Sequence, residues 1–161
     1  MRKNRTLAAA MIAFGLTMGL AGAASAAAPH GHEGHGVPAL EMKLNHGQKW
    51  QTDEALRTGM SRIRDKLEAS LPLIHDGRYS AAEFTALADH VQEQVDYVVA
   101  NCELPEEADL ELHVALALLL DGINVMKGQG GQEQGAVAIV QALNAYGGHF
   151  YHPEWKPLGD R

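Results

Sequence analysis

From Thr52 to Pro153 the apolar residues recur every three or four positions, and no stretch alternates long enough to make a sizeable strand. The first run, Leu56, Met60, Ile63, Leu67, Leu71 and Ile74, falls on one stripe of an α-helix. Thr52 or Asp53 caps it, and Arg57, Arg62, Arg64, Asp65, Lys66 and Glu68 face water. Pro72 lacks a backbone donor and predicts a kink or an end near Ser70 or Leu71. After the turn Asp76-Gly77-Arg78, the box Ser80-Ala81-Ala82-Glu83 opens a second helix, whose stripe is Phe84, Leu87, Val91, Val95, Val98 and Cys102.

Pro105, Glu106 and Glu107 suit the first turn of a third helix. It buries Leu112, Leu116, Leu119, Ile123 and Met126 and is apolar nearly all round from Val114 to Leu120. Gly128-Gln129-Gly130-Gly131 ends it. A fourth helix from about Gln132 turns Ala136, Ile139 or Val140, Leu143, Tyr146 or Gly147, and Phe150 inward until Pro153 stops it. Four amphipathic helices on short turns imply an all-α fold, an antiparallel up-down-up-down four-helix bundle over residues 44–161.

The residues before that domain read differently. A basic start at Arg2, Lys3 and Arg5, an apolar run from Leu7 to Ala23 and the small residues Ala24-Ser25-Ala26 have the form of a secretory signal peptide over residues 1–26. The run is short for a membrane span, and Asp121-Gly122 interrupts the later apolar stretch at Val114 to Leu120, so no span is expected after cleavage. The expected location is the periplasm. Residues 27–43 hold His30, His32 and His35 among glycines and prolines without apolar periodicity, the composition of a disordered arm. Such imidazoles chelate copper, nickel or zinc, or the arm is a solubilising leader.

Charge and cysteine narrow the function. Without the leader, ten basic residues face twenty acidic ones, so binding to nucleic acid is not expected. The single Cys102 has no partner for an intramolecular disulfide. No nucleophile with a base, carboxylate pair in a marked pocket or phosphate loop is evident, and the chain does not read as an enzyme.

Up-down connectivity gathers the start of helix one, the end of helix two, the start of helix three and the end of helix four. Met60, Cys102, His113 and His149 are expected there, with Trp50 and Trp155 closing the end and His75 opposite. His149 and His152, three apart, are expected on one side of a helical turn. Each has a plainer role: core filler for Met60 and Cys102, a carbonyl-bonded side chain for His113, an exposed helix end for the last two histidines.

The segments Lys49-Trp50, Thr52-Asp53-Glu54, Leu56-Arg57, Gly59-Met60 and Gln141-Ala142-Leu143-Asn144-Ala145-Tyr146 are similar to a group of uncharacterised small exported bacterial proteins, some labelled DnrO. More broadly the chain resembles the cytochrome b562 and cytochrome c′ class of periplasmic four-helix bundles. That resemblance implies haem b held between an early methionine, here Met60, and a late histidine, here His149. Gly147 directly follows Tyr146, however, displacing His149 by two positions, and no Cys-x-x-Cys-His motif for covalent haem is present.

The expectation is an exported binding protein, monomeric or homodimeric, holding a transition metal, copper above others, or haem, for electron transfer or metal handling. Candidate metal ligands are His149, His152, His113, Cys102, Met60, His30, His32 and His35. The alternative is a cofactor-free bundle that meets another envelope protein.

Overall fold

The structure, a computed structural model, describes residues 41–159. The leader and the arm histidines His30, His32 and His35 lie outside the described residues. Four helices make the fold: α1 Glu54–His75, α2 Ala81–Asn101, α3 Glu106–Lys127 and α4 Gln132–His149. Two short strands flank them, β1 Trp50–Gln51 and β2 Phe150–Tyr151.

The helix starts follow from local chemistry. Asp53 accepts from the Leu56 N–H at 2.7 Å, and Ser80 and Glu83 exchange backbone bonds in a full capping box. The bonds from Ser80 hold the Glu83 carboxyl below its usual range. Pro105 precedes α3, whose first turn carries Glu106, Glu107 and Asp109, and Gly131 enters α4 at φ 71°, a left-handed conformation suited to glycine.

Pro72 neither ends nor breaks α1, which runs on to His75. It forgoes one helix N–H bond, and its own carbonyl still accepts from Asp76 N at 3.1 Å. The fourth helix stops at His149, four residues before Pro153, because Phe150 and Tyr151 extend to pair with Trp50 and Gln51 in a parallel ladder. Met42, before β1, is buried and belongs to the core.

The core joins all four helices and includes each α1 stripe residue except Leu71, which packs partly buried against it. Glycines bring helices unusually close. A Cβ on Gly135 in α4 would lie 2.7 Å from the Gly122 carbonyl oxygen and from Met126 N in α3, so these backbones touch. Gly59 in α1 similarly seats the Val98 side chain of α2, which a Cβ would meet at 2.3 Å.

A fifth segment completes the core. After β2 the chain runs past α1 and α4, where Arg64 donates to the Lys156 carbonyl at 2.6 Å. Asn144 of α4 bonds both backbone groups of Leu158, at 2.8 and 2.9 Å, and Leu158 is buried. Among the described residues no helix is long and apolar enough to cross a membrane.

Candidate functional site

The end at which β1 meets β2 is built from several segments. Asp53, while capping α1, also accepts from Glu103 N at 2.7 Å, tying the end of α2 to the start of α1. Lys49 reaches the Gly147 carbonyl, and the Trp50 indole donates to the Lys43 carbonyl at 2.7 Å. Lys43 N in turn donates to Glu111 Oε2 of α3 at 2.6 Å. The segment before β1 is thus tied to the second turn of α3.

Tyr146, fully buried, is the hub of an aromatic cluster. It stacks on Phe150 at 5.2 Å and meets Trp155 edge-on at 5.1 Å. Trp155 closes over Gly147, where even a Cβ would collide with the indole. The buried indole nitrogen of Trp155 has no hydrogen-bond partner among the described residues.

His152 lies in the tail rather than on α4, so it and His149 do not share a helical face. Its Nδ1 is 3.0 Å from the Tyr146 hydroxyl and its Nε2 3.2 Å from the Ser61 hydroxyl of α1. Both ring nitrogens are therefore engaged. Burial, aided by the nearby Arg57 guanidinium, lowers the His152 pKa, while burial raises that of Tyr146. Arg57 itself is anchored to the Thr52 carbonyl and hydroxyl.

The lowered histidine fixes the sign of a pH effect. Unfolded, His152 titrates near its ordinary value of 6.5, and folded it titrates lower. Between those values the unfolded chain binds the extra proton, so the His152 contribution is complete above 6.5 and is lost as the pH falls toward the folded value. The urea midpoint is expected to drop more between pH 7.5 and 5.5 in the wild type than in His152→Gln. Equal drops would show that His152 does not titrate this way.

The other candidates lie on helix segments tied together at this end, each with surroundings of its own. Met60 has no exposed surface and packs in the core. Cys102 caps the end of α2, half-buried, and burial together with the Asp53 carboxylate pushes its thiol up to about 12. The thiolate, the form that binds metal, is thereby disfavoured at neutral pH. His149 bonds its own helix through Nδ1 and the Ala145 carbonyl, 2.7 Å apart. His113 does the same with the Asp109 carbonyl at 2.8 Å, with the Asp109 carboxylate 3.5 Å away, and its side chain is 70% exposed. For both, donation from Nδ1 leaves Nε2 as the available lone pair.

Among the described residues, no three His, Cys, Asp or Glu side chains converge as a metal-binding group. No family model matches the chain, and neither curated proteins nor solved structures give a match. Function therefore rests on the chain's own chemistry.

Sequence reasoning passed over Ser61, Arg57 and the Tyr146 hydroxyl. Ser61 flanks the α1 stripe and looks like a solvated serine, since nothing in the helical period shows that a tail from beyond α4 lies against it.

Proposed function

We propose that this is an exported metal-handling protein on an antiparallel up-down-up-down bundle, taking copper through His113, with the histidine-rich arm at His30, His32 and His35 as a separate copper chelator. The observation that carries this reading is the 2.8 Å contact of His113 Nδ1 with the Asp109 carbonyl, on a side chain that is 70% exposed.

His113 has the support that a ligating histidine needs. Its Nδ1 is held by a carbonyl with a carboxylate nearby, leaving Nε2 for the metal. Imidazoles suit copper, and several on one flexible segment adapt to its tetragonal preference. His149, also free at Nε2, is a weaker second point of attachment. His152 is outside the set because both nitrogens are occupied.

Haem between Met60 and His149 is a poorer fit, since iron at the Met60 sulfur requires opening a core position with no exposed surface. The cofactor-free alternative, docking to an envelope partner, draws on exposed apolar residues of α3, Leu110 and Val125.

The test is Cu(II) titration followed by calorimetry and electron paramagnetic resonance. His113→Ala is expected to weaken the tight site by about tenfold or more, a scale reached even when a supporting partner of a ligand is lost, and deleting residues 27–36 to remove only the copper held by the arm. Helical circular dichroism should be unchanged. Identical binding in His113→Ala and wild type would reduce copper capture to the arm alone.

A further inference from the structure

On this bundle Ser61 departs from the usual behaviour of a helical hydroxyl. Ser70 and Thr85 bond back to the carbonyl four residues earlier, at 3.0 and 3.1 Å, the default for serine and threonine within a helix. Ser61 instead faces His152 Nε2 at 3.2 Å, and His152 is oriented from its other nitrogen by Tyr146 at 3.0 Å. A hydroxyl, a histidine within hydrogen-bond reach and a third group fixing that histidine are the parts of an activated nucleophile.

The surroundings give this trio a place to work. One open groove of about 410 Å³ exposes Ser61 and His152 beside Arg57, Thr58 and Arg62. A second, of about 700 Å³, reaches the same two residues from the side of Arg64, Trp155 and Lys156. Ser61 therefore stands where two grooves join, one for each side of a bond to be cleaved. Tyr146 and its stacked Phe150 have no exposed surface, so the orienting end is rigid while the Ser61 end is open.

We propose that Ser61 is a nucleophile served by His152 as general base, and that the joined grooves form an acyl-transfer site for small carboxylic esters. In the reactive tautomer Nδ1–H donates to the Tyr146 oxygen and the Nε2 lone pair faces Ser61. Ser61 Oγ bonds to the ester carbonyl carbon as its proton passes to Nε2, and the carbonyl electron pair moves onto oxygen, beside the guanidinium groups of Arg57 and Arg62. Collapse expels the alkoxide, which takes the proton from Nε2 and leaves as the alcohol. Water then attacks the acyl-serine, its proton going to Nε2 and on to Ser61 Oγ, and the carboxylic acid departs. Tyr146 is a neutral phenol and not a carboxylate, so it orients the imidazole without offsetting an imidazolium charge. The site is accordingly suited to esters with good leaving groups and not to amides.

This activity is independent of copper capture at His113. Metal-free wild-type protein treated with a fluorophosphonate, digested and mapped by mass spectrometry should carry the adduct on Ser61. His152→Gln is expected to slow that labelling by about a hundredfold, the lower range for general-base assistance, with helical content intact. Hydrolysis of p-nitrophenyl acetate by the wild type should be lost in Ser61→Ala. Absence of an adduct on Ser61 in the wild type overturns the proposal whether or not any variant folds. So does labelling of folded His152→Gln at the wild-type rate, or hydrolysis undiminished in Ser61→Ala.

Discussion

Truncation after His152 is expected to remove most of the stability of this domain. The lost segment contains Trp155, packed on Tyr146 and Gly147, and Leu158, 4% exposed and part of the core. Large-to-small changes at such positions cost about 2–5 kcal/mol for leucine and about 3–5 kcal/mol for tryptophan. Whole domains are stable by only about 5–15 kcal/mol, so losing both anchors consumes a large share. Truncation also strips Asn144 of its two partners on Leu158 and leaves the core beside α1 and α4 open.

Single variants divide that effect. Leu158→Ala should cost about 2–3 kcal/mol. Asn144→Ala should cost about 1–2 kcal/mol, because a backbone donor and acceptor of a buried residue lose their bonds. Urea denaturation followed at 222 nm checks each value. An unchanged midpoint in the truncated chain would show that the tail is an appendage and not part of the core.

The second large effect is expected from the contact of α3 with α4. Gly135→Ala adds a methyl group 2.7 Å from the Gly122 oxygen and from Met126 N, both backbone atoms that no side-chain rotation moves aside. An alanine within a helix ordinarily gains about 0.5–1 kcal/mol over glycine. Here overpacking, typically about 1–3 kcal/mol and more where the backbone must shift, outweighs that gain. A net loss of about 2 kcal/mol is expected, and Gly135→Leu should fail to fold cooperatively. By contrast Gly148→Ala, where a Cβ meets nothing within 4 Å, should be neutral or stabilising. If Gly135→Ala is as stable as Gly148→Ala, the helices do not approach as closely as described.

The four helices were legible because their cores and caps are written locally. The stripe from Leu56 to Ile74, the Ser80 to Glu83 box and the Gly128 to Gly131 break all depend on residues within a few positions of one another. The end of α4 was not legible. Pairing of Phe150 and Tyr151 with Trp50 and Gln51 joins positions a hundred residues apart, and it ends the helix before the expected stop at Pro153.

The same nonlocality explains the site. Histidines and Cys102 draw the eye in a sequence, yet Met60 is a core side chain and Cys102 is held as a thiol. His152 was singled out for metal, but its actual neighbours, Ser61 and Tyr146, come from α1 and α4. Position His113 was identified, whereas the bond from Lys43 N to Glu111 of the same helix is one that no periodicity encodes.

Copper capture is tested most directly by elemental analysis and a visible absorption spectrum of untagged protein isolated from the compartment in which it folds. The account predicts stoichiometric copper, a weak d–d band from imidazole coordination and no Soret band. A Soret band, or protein that carries neither copper nor another transition metal and binds none on titration, would contradict it.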